Sequence, residues 1–125
     1  MTMSFLKKEI QSFGHAFRGI GLLFREETHA RIHALAVLCI VVLGFWLKIE
    51  SWEWSAILIC MGMVIALEAV NTAIERLSDR VSKENHPLAG NAKDAAAGAV
   101  LIAVIFAAVV WGIIFIPKLW YFFFS

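Results

Sequence analysis

Glu68, Asn71, Glu75 and Asp79 recur at spacings of 3, 4 and 4 in a stretch that is otherwise mostly apolar. At about 100° per residue, this spacing holds all four on one narrow helix face over roughly 16 Å. Met61 to Leu67 lie upstream, and Ala69, Val70, Ala73 and Ile74 fill the gaps. Carboxylates at membrane depth are expensive, so their default reading is a functional site. Glu68, at the apolar start of the stripe, is placed to accept a proton from a lipid hydroxyl.

Two more polar groups fall on the same membrane side. Glu26-Glu27 precedes the first apolar run, and Glu84-Asn85-His86 precedes Lys93-Asp94 at the entry to the last. Carboxylates with a lysine suit a divalent cation carrying phosphate. Mg²⁺ takes carboxylate oxygens, waters and substrate phosphates, and a lysine neutralises phosphoryl oxygens. Plainer structural roles stand beside these. Glu26 and Glu27 read equally as a charged first turn on a helix dipole. Arg76 and Arg80 read as solvated or headgroup contacts, Asp79 as a partner for Arg76, Arg80 or Lys83, and His86 as a loop histidine. Glu68 and Glu75 resist such roles best, because apolar residues surround them. No phosphate-binding glycine motif is present. Residue types and spacing alone end at a membrane protein with an acidic, metal-linked cytoplasmic site.

The elements that must position these groups follow from hydropathy. The chain has 125 residues, 61% hydrophobic and 17% charged, which indicates one membrane-embedded domain. A net charge of +1 argues against nucleic acid as a partner. Ala95 to Ile116 carries no charge and ends at Pro117-Lys118, which predicts a transmembrane helix. Leu35–Leu47 and Ser55–Leu67 are shorter apolar runs. The first spans if Arg31 and His33 enter the interface, and the second if it runs on through Glu68 and Ala73. The expected fold is all-α, with an amphipathic surface helix over 1–26 and spans over about 30–49, 54–81 and 94–120. Leu6, Ile10, Phe13, Phe17, Ile20 and Phe24 supply the apolar stripe of the surface helix. Ser82–Asn91 reads as a loop.

Lys7, Lys8, Arg18, Arg25 and Arg31 precede the first span, and Arg76, Arg80, Lys83 and Lys93 lie between the second and third. Only Lys48 and Lys118 fall on the other side. The positive-inside rule puts the N-terminus and the 76–93 segment in the cytoplasm and the C-terminus outside. The first 30 residues lack the apolar stretch of a cleavable signal, so the N-terminus is expected to be retained. Cys39 and Cys60 sit in apolar runs and read as small buried hydrophobes.

Glu68-Ala69-Val70-Asn71-Thr72-Ala73-Ile74-Glu75 with Asp79, followed by Ala92-Lys93-Asp94 through Val100-Leu101, resembles the small prokaryotic diacylglycerol kinase family, which includes undecaprenol kinases. Glu27 with Arg31-Ile32-His33 resembles the family's pattern before its first span. The resemblance covers essentially the whole chain. It implies a homotrimer in the bacterial inner membrane, with active sites between protomers, ATP as phosphate donor and Mg²⁺ as cofactor. It implies transfer of the γ-phosphate to the primary hydroxyl of diacylglycerol or undecaprenol. At matching positions, Glu68 is the catalytic base at the lipid substrate. Glu27 and Glu75 hold the metal with ATP, His15, Glu84, Asn85, His86, Lys93 and Asp94 contact the nucleotide, and Asn71 and Asp79 support the site. Lys8 aligns near the nucleotide as well. His29 and His15 depart from the pattern, standing where many members have Asn and some have Tyr.

The main alternative is a small cation channel or transporter using the acidic stripe. It leaves Lys93-Asp94 and the acidic pair before span one without a role. A purely structural membrane subunit is a further reading. A di-iron site on Glu26-x-x-His29 would need a second such motif, and none is present.

Overall fold

The computed structural model describes residues 2–81 and 86–125, which form four helices: α1 (Thr2–Glu26), α2 (Thr28–Leu47), α3 (Ser51–Val81) and α4 (Pro87–Phe124). Three of them, α2, α3 and α4, are long and apolar enough to cross a membrane. The chain is an all-helical membrane protein.

The framework is an antiparallel hairpin of α3 and α4. The buried residues of α3 are Glu53, Ile57, Met61, Val64, Glu68 and Thr72, a 4, 4, 3, 4, 4 repeat that makes one helix face. Ile57 and Met61 pack with Ile49, Ile114 and Phe115, and Val37, Ile40 and Leu43 of α2 close over them. An ion pair holds each end of the hairpin. Lys93 Nζ donates to Asp79 Oδ1 at 2.8 Å, and Lys118 Nζ lies 3.2 Å from Glu53 Oε1 at the opposite end. Glu53 also accepts the backbone N–H of Glu50 at 2.9 Å. It thereby closes half of a capping box at the start of α3.

Local chemistry explains how the helices turn. Lys48 takes a left-handed conformation (φ 53°, ψ 55°), which lets the Ile49 N–H return to the Gly44 carbonyl at 3.2 Å. Gly44 is required by proximity: a Cβ there would lie 2.7 Å from the Trp54 ring. Between α1 and α2 only Glu27 is extended. Arg31 spans the break, donating to the Arg25 carbonyl at 3.2 Å and to Thr28 Oγ1 at 3.3 Å. It thus satisfies a carbonyl at the end of α1.

Two expectations change. The loop read over Ser82–Asn91 gives way to helix from Pro87. Proline is pre-shaped for a first helical position, and His86 caps it by accepting from the Leu88 N–H at 3.2 Å. At the other end α4 passes through Pro117, as the expected span to about 120 requires, and continues to Phe124. Proline removes one helical hydrogen bond. Trp46 against Phe122 (4.9 Å between centroids) and Trp120 against Phe124 (4.4 Å) pack the segment beyond it.

Candidate functional site

The polar stripe of α3 runs out of the protein interior. Glu68 is 6% exposed, Asn71 and Glu75 are half-buried, and Asp79 is exposed. The stripe is internally linked, since Asn71 Nδ2 donates to Glu75 Oε1 at 3.5 Å. Asn71 Oδ1 is buried without a hydrogen-bond partner. Thr72, on the neighbouring line of α3, is buried. It lines a groove with Ala69, Ala73 and Arg76 and with Ala16 and Leu23 of α1. Small residues on α3 thus let α1 approach the stripe's own helix.

Glu68 meets a group from α2. His33 Nδ1 stands 3.3 Å from Glu68 Oε2, yet Nδ1 is buried and makes no hydrogen bond. The two atoms are within reach but out of hydrogen-bond line. His33 also lines an apolar cavity of about 180 Å³ with Val37, Cys60, Val64 and Ala107.

The second expected centre gathers at the α1–α2 junction. Arg76 pairs with Glu26 and lies 3.6 Å from Glu27 Oε1. This corrects two readings. Glu26 ends α1, where the helix dipole disfavours a carboxylate, and the Arg76 guanidinium offsets that charge. Arg76 is accordingly a bridge between helices, while its side chain stays 44% exposed. Asp79, in turn, pairs across the hairpin with Lys93, not with an arginine of its own helix. In the polar stretch before the apolar run of α4, the Asp79 hydrogen bond and charge hold the Lys93 ammonium above its ordinary pKa of 10.5.

The other expected nucleotide contacts are dispersed. His15 is exposed on α1 with Arg18 Nη1 3.3 Å from its Nδ1. Lys8 and His29 are exposed on α1 and α2, and Asp94 is exposed beside Lys93. His86 serves as the cap of α4. Glu84 and Asn85 lie outside the described residues. Among the described residues, no three His, Cys, Asp or Glu side chains gather closely enough to hold a metal ion. The donor set nevertheless fits Mg²⁺. It consists of hard oxygens, including the unpartnered Asn71 Oδ1, and Mg²⁺ needs only one or two carboxylates when phosphates and waters complete its shell.

Sequence patterning did not single out His33, whose partner is on another helix. The available signal was a histidine and a glutamate, each within an apolar neighbourhood, near the cytoplasmic ends of adjacent predicted spans.

Glu68 is thus buried on a spanning helix, Asn71 and Glu75 follow it on the same helix, and Lys93 pairs with Asp79 where α3 and α4 meet. The family model for prokaryotic diacylglycerol kinase matches residues 14–115. Similar proteins include the undecaprenol kinase of Bacillus subtilis (strain 168), 40% identical over 114 residues, 91% of this chain and 93% of that protein. The diacylglycerol kinase of Escherichia coli (strain K12) is 34% identical over 105 residues, 84% of this chain and 86% of that protein. That of Helicobacter pylori (strain J99) is 34% identical over 107 residues, 85% and 83% respectively. The chain belongs to the prokaryotic diacylglycerol kinase family, and it is a lipid kinase.

Proposed function

We propose that this chain transfers the γ-phosphate of ATP to the primary hydroxyl of a membrane lipid, either undecaprenol or diacylglycerol. The observation that carries the reading is Glu68, a carboxylate 6% exposed on a spanning helix. Such a group is placed to meet a hydroxyl whose tail stays in the bilayer. The lipid oxygen attacks the γ-phosphorus, its proton passes to Glu68, and the bond to the bridging oxygen breaks to release ADP. Glu27 and Glu75 would hold Mg²⁺ with the ATP phosphates, where the ion supplies charge neutralisation of the phosphoryl oxygens. Lys93 adds a cation for those oxygens. His15, Glu84, Asn85, His86 and Asp94 belong to the nucleotide side of this reading, and Asn71 and Asp79 orient Glu75 and Lys93.

The reading includes a homotrimer with sites between protomers and a single integral-membrane kinase domain. It places α1 as an amphipathic helix in the membrane interface. Phe5, Ile10, Phe13 and Phe17 are at least 63% exposed, which suits lipid contact. The N-terminus and site face the cytoplasm and the C-terminus faces out, by the lysine and arginine bias.

The test is transfer of labelled γ-phosphate from Mg-ATP to undecaprenol and diacylglycerol in parallel micelles. The 40% identity to an undecaprenol kinase favours undecaprenol as the better acceptor. Label in neither lipid, with folded protein present, refutes the kinase reading. Metal flux without ATP consumption would favour the channel instead.

A further inference from the structure

We infer that His33 is a positioning residue for Glu68, holding the carboxylate against the acceptor hydroxyl through its Nδ1. This rests on the reading of Glu68 as the base. Glu68 is buried on α3, and the group that approaches it from another helix is His33, with Nδ1 3.3 Å from Oε2. A carboxylate in apolar surroundings needs a hydrogen-bond donor to offset its burial and fix its direction. An imidazole with its proton on Nδ1 is such a donor.

The contact is poised, not made. His33 Nδ1 is buried and unpartnered in this arrangement. A small rotation of either side chain aligns it on Oε2, and the orphaned polar atom gains a partner by doing so. His33 is partly exposed (23% of its side chain), which leaves room for that rotation. The same imidazole lines the apolar cavity between α2, α3 and α4. A lipid tail lodged there has its polar end beside the His33–Glu68 pair. Alignment of the pair and arrival of the hydroxyl therefore occur in one place.

Asparagine and glutamine discriminate this role from simple packing. The Asn amide nitrogen overlays imidazole Nδ1, whereas that of Gln overlays Nε2. The expected result is a roughly 10–100-fold loss of kcat in His33→Leu and His33→Gln, the scale of a misplaced reacting group. The KM for ATP stays unchanged, and His33→Asn keeps kcat within about three-fold of wild type. A fold-level role for His33 would not separate Asn from Gln, and it would move the KM for ATP with kcat. Should His33→Leu fail to fold, the Asn and Gln pair still decides. Equal activity in all variants, or equal loss in Asn and Gln, overturns the assignment while wild-type transfer upholds the kinase reading. Absence of transfer in the wild type overturns both. As a readout independent of turnover, the ¹⁵Nδ1 resonance of His33 is expected to move in Glu68→Gln, and an unmoved resonance rejects the coupling.

Discussion

Glu68 and Glu75 lie seven residues apart on α3 and differ in surroundings, and the proposed roles of base and metal ligand rest on that difference. Glu68 is buried in apolar packing with an imidazole as its near neighbour. Glu75 is half-buried and accepts from Asn71. A base needs proximity to the hydroxyl, whereas a metal ligand needs room for waters and phosphate. Glu68→Gln is accordingly expected to keep ATP binding, measured by equilibrium dialysis, and to lose at least about 10²-fold in kcat. Near-normal turnover in that variant removes Glu68 as the base. Glu75→Gln should instead raise the Mg²⁺ concentration for half-maximal activity about ten-fold or more, since second carboxylates carry much of a weak site's affinity. A magnesium titration with an unshifted midpoint excludes Glu75 from the metal site. Both glutamates were legible in the sequence, because a 3.6-residue period is a property of one helix. The Arg76 bridge and the His33 approach were not legible, because they depend on how separate helices are set against each other.

At the scale of elements, the hairpin depends on contacts that a hydropathy pattern does not encode. The spans could be read from apolar run length, and the helical continuation of α3 through the stripe followed from spacing. The early start of α4 could have been read from Pro87 preceded by a capping histidine, had the polar composition of Ser82–Asn91, with Pro87 and Gly90, not suggested a loop. Its continuation beyond about residue 120 is accompanied by the packing of Phe122 on Trp46 of α2, which lies outside any local signal. Gly44 is a further case: its need for a missing Cβ arises from Trp54 on another helix. Gly44→Ala should force the indole aside and destabilise the protein by about 1–3 kcal/mol, the usual range for overpacking. Differential scanning calorimetry in micelles would show this as a lowered midpoint, and an unchanged midpoint would mean that the ring yields freely. Glu53→Ala strands Lys118 and the Glu50 N–H together. Lys118 is partly exposed, so the expected cost is only about 1–3 kcal/mol, below that of a fully buried broken pair. Turnover per folded molecule should be preserved, because this pair lies at the far end of the hairpin from Glu68.

For the whole molecule, the proposed reaction needs the acidic stripe on the side that holds ATP, and the lysine and arginine bias gives the expected face. Lys7, Lys8, Arg18 and Arg25 precede α2, and Arg76, Arg80, Lys83 and Lys93 flank the α3–α4 connection, while Lys48 and Lys118 stand alone at the other ends. The opposite orientation would carry Arg76, Arg80, Lys83 and Lys93 across the membrane. The orientation with both termini of the α3–α4 connection inside is therefore favoured. Single cysteines placed at Ser4 and Ser125, with Cys39 and Cys60 replaced by alanine, test this directly. A membrane-impermeant maleimide added to intact cells should label position 125 alone, and position 4 should react only after permeabilisation. Reversed labelling would put Glu68 and Lys93 on the side without ATP and remove the physical basis for the kinase site facing its donor. The same samples, extracted in mild detergent, should give a native mass of three times the 14.0 kDa chain. A monomeric mass with full activity would mean that one chain assembles the site alone. In that case Glu27, Glu75 and Lys93 would have to converge on nucleotide within a single protomer, by a movement of α1 and α4 about the Arg76 and Asp79 pairs.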